Sequence, residues 1–326
     1  MISYTPTSTD VQLSAFAKDV LLGLTQQPKK LSSKYFYDHK GDALFQQIMH
    51  MPEYYLMDCE LEIFNHQKAA ILSALEAPDF NLIELGAGDG YKTKVLLDHF
   101  IKEDISFEYQ PIDISRNVLQ QLEDDLHKSW PDLQVRSLHG DYFEMLHQLS
   151  SQSTKTDIVL FLGANIGNYQ PDAALQFLCQ LRENLNPGDY LLIGIDLKKD
   201  PVTILNAYND PAGITAAFNL NLLTRMNREL GANFEVDNFK HWETYDPITG
   251  ATRSFIVSKK DQEVYIKALN QSFHFNAWEA IDVELSQKYS LNEIEALAVQ
   301  SGFQMVEHFT DDQQFFVDSL WRVPLD

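Results

Sequence analysis

The stretch Asn81 to Leu97, NLIELGAGDGYKTKVLL, constrains this chain more than any other. Leu82, Ile83 and Leu85 make the short apolar run of a buried parallel strand, interrupted only by Glu84. Gly86-Ala-Gly-Asp-Gly90 then gives a tight turn, and Tyr91 to Leu97 reads as the first turns of a helix. A strand, a glycine turn and a helix N-terminus together aim unpaired backbone N–H groups at a ligand. Glycine suits such a turn because it accepts positive φ and lets a ligand approach the backbone.

The glycines fall as G-x-G-x-G, whereas a dinucleotide-binding turn places its third glycine one residue later. With the acidic Glu84 and Asp89, this spacing resembles the first motif of class I S-adenosylmethionine-dependent methyltransferases. Taken alone, the loop is also compatible with an ordinary strand-to-helix turn, so the rest of the chain has to decide.

Further apolar runs follow in alternation with helical patterns. Phe107 to Ile114, Leu133 to Leu138, Asp157 to Gly163 and Tyr190 to Leu197 read as four more strands. Helices are expected across Leu119 to Leu126 and from Pro171 to Leu185. Strands alternating with helices predict a doubly wound parallel sheet. In that fold a carboxylate ending the second strand, here Asp113 about twenty residues past the glycine turn, accepts ribose hydroxyls. Asp113 is equally placed to cap the helix behind Ser115. Asp141 stands just past the third strand, where it can accept an adenine amino group, with Tyr142 or Phe143 against the ring.

Upstream, Val11, Leu13, Phe16, Val20, Leu21 and Leu24 predict an amphipathic helix. An aromatic-rich stretch comes next, with Tyr35, Phe36, Tyr37, Phe45, Tyr54 and Tyr55, a short helix over Asp42 to Met49 and a long one over Tyr55 to Leu75. Most of these rings suit core packing, although tyrosines beside turns can offer hydroxyls to a ligand. After Leu197 the alternation stops. Helices with a turn at Asp210 to Gly213 lead into segments of period-two patterning with a turn at Pro247 to Gly250, which predict a small antiparallel sheet. Ser290 to Glu293 is a capping box, and two final strands, FQMVEHF and FFVDSLWRV, suit the antiparallel end of a class I methyltransferase sheet.

The expected fold is therefore α/β, a Rossmann-like doubly wound sheet with an antiparallel terminal strand, plus a smaller α+β cap that binds substrate. The catalytic domain is expected at 60–198 and 287–326, and the cap at 1–59 and 199–286. A net charge of -22 over 326 residues repels phosphate backbones and anionic membranes, which points to a small-molecule substrate. Two cysteines, Cys59 and Cys179, supply neither a disulfide framework nor a four-thiolate metal site. The polar N-terminus lacks a signal-peptide core, and no apolar run approaches the ~18 residues of a membrane span. A cytoplasmic monomer is the expectation. The histidines show no paired ligand spacing, so no metal is implied, and His39, His139 and His241 read as surface or capping residues.

Four further stretches narrow the resemblance: KYFYDHKGDALFQQIMHMPEYY, FLGANIGN, AYNDPAGITAAFNLNLLTRMNREL and VELSQKYS. With ELGAGDGYKT they make the chain resemble, over nearly its whole length, the histidine-specific Nα-methyltransferases of ergothioneine biosynthesis. The resemblance implies that Gly86, Gly88, Lys92, Asp113, Asp141 and Tyr142 bind S-adenosylmethionine. It makes Tyr54 a histidine-binding tyrosine and places Asn168 and Tyr208 on the substrate's carboxylate and α-amino end, Glu284 and Ser286 on its imidazole, and Tyr37 in the same pocket. Tyr37 and Tyr54 are the catalytic candidates, holding the amine. A Glu-x-Ser pair on a strand puts both side chains on one face, where Glu284 can accept the ring N–H and Ser286 serve the other nitrogen. The implied activity is methylation of L-histidine up to three times, giving hercynine. Two alternatives stay open: an α-N-methyltransferase for another, aromatic amino acid, and a non-catalytic S-adenosylmethionine-binding protein.

Overall fold

The protein is described here from a computed structural model, which covers residues 13–150 and 155–325. In chain order its elements are helices α1 (Ala15–Thr25), α2 (His39–Met49) and α3 (Tyr55–Ala74), then β1 (Asp79–Leu85), α4 (Thr93–Lys102), β2 (Ser106–Asp113), α5 (Arg116–Ser129) and β3 (Leu138–His139). They continue through α6 (Tyr142–Ser150), β4 (Thr156–Phe161), α7 (Pro171–Glu183), β5 (Tyr190–Asp196), α8 (Pro201–Tyr208) and α9 (Ile214–Leu230). The remainder is β6 (Phe239–Tyr245), β7 (Ala251–Ser258), β8 (Gln262–Ile266), β9 (Gln271–Phe275), β10 (Ala280–Gln287), α10 (Leu291–Gln300), β11 (Gln304–Thr310) and β12 (Phe316–Arg322). Val11, assigned above to the first helix, lies outside the described residues.

The chain divides into two compact units. The larger takes Tyr55–Thr203, Asp246–Thr252 and the chain from Leu285 onward. Its sheet runs β11-β12-β5-β4-β1-β2-β3. β1 pairs in parallel with β2 and β4, as do β4 with β5 and β2 with β3. β12 pairs antiparallel with both β5 and β11. This is the doubly wound sheet with antiparallel terminal strands expected of a class I methyltransferase. It forms because the central strands are apolar on both faces: every residue of β5, and of β1 after Asp79, is buried. Ile83, Val159, Phe161, Leu191, Ile193 and Trp321 belong to one core cluster, each contributing roughly 1.5–3 kcal/mol by leaving water. The strand order reverses beside β1, so the ligand crevice of such a sheet opens at the C-terminal ends of β1 and β4.

One expected strand is largely absent. Leu133 to Leu138 runs beside β2 through two backbone bonds, Tyr109 N–H to Gln134 O and Arg136 N–H to Tyr109 O, each 2.9 Å, but a regular ladder begins only at Leu138. As the sheet's edge it has one neighbour, and β2 can order only the residues it reaches. The helix after the glycine turn also starts later than read, at Thr93, because Gly90 to Lys92 complete the turn.

The smaller unit comprises the chain up to Tyr54 together with Ile204–Tyr245 and Arg253–Glu284. Its core gathers Phe16, Val20, Phe36, Phe218, Leu222, Met226, Ile256 and Phe275 from α1, the turn before α2, α9 and the strands. A three-stranded sheet, β10-β7-β6, and the antiparallel pair β8-β9 supply its β structure. β7 alternates strictly between half-buried and buried residues, as a strand with one covered face must.

Candidate active site

The glycine turn is held open by its own backbone. Gly86 N–H donates to Ile112 O at 2.8 Å, tying the turn to the end of β2, and Gly86, Gly88 and Gly90 have φ of +71°, +56° and +63°. A Cβ at Gly86 would lie 2.6 Å from the Tyr142 hydroxyl, so that ring sits directly over the turn. A Cβ at Gly88 would meet nothing within 4 Å, which leaves that backbone clear for a ligand. Asp113 stands beside it. One carboxylate oxygen accepts the Ser115 N–H at 2.8 Å, and the other lies 3.5 Å from the Gly88 nitrogen. Ser115, not Asp113, caps α5. Asp141 uses Oδ1 to accept the N–H groups of Phe143 and Glu144 at the start of α6, at 3.0 and 3.4 Å.

Beneath the turn the charges are buried. Glu84 is wholly enclosed and accepts hydrogen bonds from Tyr109 and, at 2.7 Å, from Thr93. Burial pushes its carboxyl up to about 7 despite those donors. Lys92 pairs with the buried Glu60, which also accepts the Gly163 N–H at 2.8 Å. Asp318 is held well above the usual carboxylate range, first by burial and then by the charge of Glu60. The Tyr142 phenol is pushed up to about 12, mainly by burial.

The loop after β4 ends at Asn168, which is exposed and makes no side-chain hydrogen bond among the described residues. Gly167 packs so tightly on the end of β10 that a Cβ would lie 2.8 Å from Gln287 O. Asn168 and Ser286 are thereby carried by touching segments of the larger unit. Ser286 is buried, and its Oγ accepts a hydrogen bond from Lys288 Nζ at 2.7 Å.

The smaller unit brings together Tyr37, Tyr54, Tyr208 and Glu284. The Tyr37 ring meets Phe45 edge-on at 5.4 Å and Phe218 at 5.5 Å, and Phe45 in turn meets Tyr54 at 6.5 Å. Tyr37 is 47% exposed as a residue but has protein packed around it. That desolvation, followed by the charges of Glu284 and Asp42, raises its phenol above the ordinary value, so Tyr37 is a neutral hydrogen-bonding group and not a base. Tyr208 ends α8, and two residues on, Asp210 starts α9 by accepting the Ile214 and Thr215 N–H groups, both at 2.8 Å. The AYNDPAG stretch is thus a helix end, a turn and a helix start. Glu284 Oε2 accepts a hydrogen bond from Ser254 Oγ at 3.0 Å.

Ser254 was not among the expected site residues. Its signal is a polar side chain on the buried face of β7. His241 corrects another expectation. His39 and His139 are exposed, but the His241 side chain is only 3% exposed, with Nε2 2.9 Å from Tyr208 O and 3.4 Å from Glu243. Burial lowers its pKa, so it is a neutral ring supporting the Tyr208 backbone, not a surface or capping residue.

The model of the S-adenosylmethionine-dependent, histidine-specific methyltransferase family matches residues 16–323. The chain belongs to this family. It is 34% identical over 304 residues to a histidine N-alpha-methyltransferase of Mycolicibacterium smegmatis, covering 93% of this chain and 94% of that one. It is 31% identical over 288 residues to ergothioneine biosynthesis protein 1 of Schizosaccharomyces pombe, covering 86% of this chain and 37% of that longer protein. A 4-dimethylallyltryptophan N-methyltransferase of Epichloe festucae var. lolii is 27% identical over 219 residues, 62% of each chain. Family membership makes the protein an S-adenosylmethionine-dependent methyltransferase. The clear backbone at Gly88 and the Asp113 carboxylate beside it fit that cofactor's amino-acid and ribose groups. No helix among the described residues is long and apolar enough to cross a membrane.

Proposed function

We propose that the protein methylates the α-amine of L-histidine, up to three times, giving the trimethylated betaine hercynine. The observation that carries this reading is the neighbourhood of Glu284. A carboxylate on β10, braced by Ser254, stands within electrostatic reach of Tyr37, whose ring belongs to an aromatic cluster with Phe45 and Phe218. Glu284 accepts an imidazole N–H, and Ser286, two residues along the same strand face, takes the other ring nitrogen. Asn168 and Tyr208 supply neutral hydrogen bonds to the substrate carboxylate and amine. A site that pairs both ring nitrogens discriminates strongly against amino acids lacking them.

Bound S-adenosylmethionine supplies an already activated methyl group on a sulfonium centre. The protein's task is therefore alignment and electrostatic setting. Gly86, Gly88, Asp113, Asp141 and Tyr142 are the residues proposed to hold the cofactor. The amine has to be neutral when it attacks, and an α-amino group titrates near ~8, so part of it is neutral at working pH without a dedicated base. Tyr37 and Tyr54 hold that nitrogen, Tyr37 through a hydroxyl whose pKa is raised above the ordinary value. The rings of Tyr37, Phe45 and Phe218 give the growing methylammonium an apolar wall with negative faces, which suits a quaternary cation. Of the residues proposed for the amino acid, Tyr37, Tyr54, Tyr208 and Glu284 belong to the smaller unit and Asn168 and Ser286 to the larger, which also carries the residues proposed for the cofactor.

The test is product mass after incubation with S-adenosylmethionine and each free amino acid in turn. Mono-, di- and trimethylated histidine as sole products support the reading. Turnover of tryptophan or another aromatic amino acid in place of histidine overturns the imidazole assignment. Cofactor binding without turnover of any amino acid overturns the catalytic one.

A further inference from the structure

Ser286 does not stand alone in the larger unit. Lys288, fully buried two residues on, donates to Ser286 Oγ at 2.7 Å and pairs with Asp196 Oδ2 at 2.7 Å. Asp196, itself wholly buried at the end of β5, also pairs with Lys199 and accepts from the Tyr55 hydroxyl at 3.0 and 3.1 Å. Lys199 in turn donates to Tyr55 Oη at 2.8 Å and to Leu197 O at 2.7 Å. Two buried ammonium groups thus share one carboxylate. A buried charge is tolerated only when held by such partners, so Lys288 is fixed in place.

An ammonium has no acceptor capacity, so the Lys288–Ser286 bond runs one way only. The serine oxygen spends a lone pair on Lys288 and keeps its own hydrogen, which meets no acceptor among the described residues. We infer that Lys288 is a specificity-positioning residue: it makes Ser286 a hydrogen-bond donor, so that the site takes the neutral imidazole ring with a bare nitrogen facing Ser286. Glu284 alone would favour the imidazolium, since a carboxylate accepts from either charge form and is attracted by the cation. A serine accepting a second ring N–H would do the same. A buried ammonium at 2.7 Å from the serine oxygen opposes both. The neutral ring also leaves the substrate's α-nitrogen with one cation fewer nearby when it has to lose its proton.

This rests on the proposed histidine substrate, and its test separates the two. kcat/KM is measured for L-histidine and for the two pyrrolylalanines, which keep one ring N–H and replace the other nitrogen with C–H. Wild type, Ser286→Ala, Lys288→Met and the double variant are compared. Wild type is expected to prefer histidine by about tenfold or more, the worth of one donated hydrogen bond. Both single variants and the double variant lose that preference to the same extent, mainly through KM for the amino acid. A Lys288→Met enzyme that keeps the wild-type preference while Ser286→Ala loses it overturns the inference and leaves the histidine reading standing. A wild type that turns over no histidine overturns both. Should Lys288→Met fail to fold, 15N NMR of labelled L-histidine bound to wild type with S-adenosylhomocysteine decides. One protonated and one bare ring nitrogen support the inference, and two protonated nitrogens refute it.

Discussion

Replacing Gly86 with alanine probes whether Tyr142 is clamped over the glycine turn. The new Cβ would lie 2.6 Å from the Tyr142 hydroxyl oxygen but 3.6 Å from its Cζ, which is ordinary contact. Two costs therefore separate. The first is backbone strain: φ of +71° is left-handed, which costs a non-glycine residue roughly 1–2 kcal/mol. The second is displacement of a mostly buried ring that also meets Phe161 at 6.5 Å, an overpacking cost of about 1–3 kcal/mol. Removing the hydroxyl abolishes the second cost and keeps the first. Gly86→Ala should thus cost about 2–5 kcal/mol in wild type but only about 1–2 kcal/mol in a Tyr142→Phe background. Urea unfolding of the four proteins in a double-mutant cycle measures this. Cofactor affinity should follow the same order, with Gly86→Ala weakest. Equal cost of Gly86→Ala in both backgrounds would show that the ring yields freely, and would remove Tyr142 as a fixed wall of the cofactor site.

Three other outcomes are expected. Glu284→Ala should lower kcat/KM for L-histidine by about 10- to 150-fold, the worth of a charge-assisted hydrogen bond, with less effect on aromatic amino acids; steady-state kinetics on both substrates check it. Asn168→Ala should leave the melting temperature nearly unchanged, because the side chain is exposed and makes no hydrogen bond among the described residues, while raising KM for the amino acid. Glu84 should tilt stability with pH: its folded carboxyl sits near about 7 against 4.5, so the folded state binds the extra proton between those values and stability falls as pH rises through that window. The full effect is about 3 kcal/mol, and unfolding from pH 4 to 8 should give a flatter profile for Glu84→Gln than for wild type; identical profiles would mean that folding does not shift the Glu84 pKa.

The larger unit's sheet was legible because its central strands are apolar on both faces, a pattern that needs no knowledge of neighbours. β3 was not, because an edge strand is ordered by the one neighbour it has, and only Leu138 and His139 keep a regular ladder. The glycine turn was legible as a candidate ligand site, and Asp113 was weighed both as a ribose acceptor and as a cap, but the second duty of Asp141, holding the N–H groups that open α6, did not show. His241 looked like a surface histidine amid polar residues. Its ring is instead buried, with Nε2 against a carbonyl on another element, that of Tyr208. Ser254 was missed for a similar reason. A serine inside a period-two strand reads as ordinary patterning until β10 is known to bring Glu284 against it.

The two buried lysine–carboxylate clusters of the larger unit divide the electrostatic work differently. Both flank the C-terminal half of β5. A Cβ at Gly194 would lie 2.3 Å from Glu60 Oε1, and Asp196 ends the strand. In the first cluster, burial and then the charge of Glu60 hold Asp318 well above the usual carboxylate range, while Lys92 pairs with Glu60. Lys92 is then not a free cation waiting for a ligand's carboxylate. It ties the start of α4 to α3 and so fixes where the glycine turn ends. In the second cluster, Lys199 and Lys288 share Asp196, whose carboxyl they hold below its usual range against the opposing effect of burial. That cluster sets two lysines against one carboxylate, and it donates to the Ser286 hydroxyl on β10. On the proposed reading, the cofactor's positive sulfonium lies at the glycine turn, where Lys92 is already paired with Glu60. On the same reading the amino acid's ring lies at Ser286, behind which Lys288 is a fixed cation.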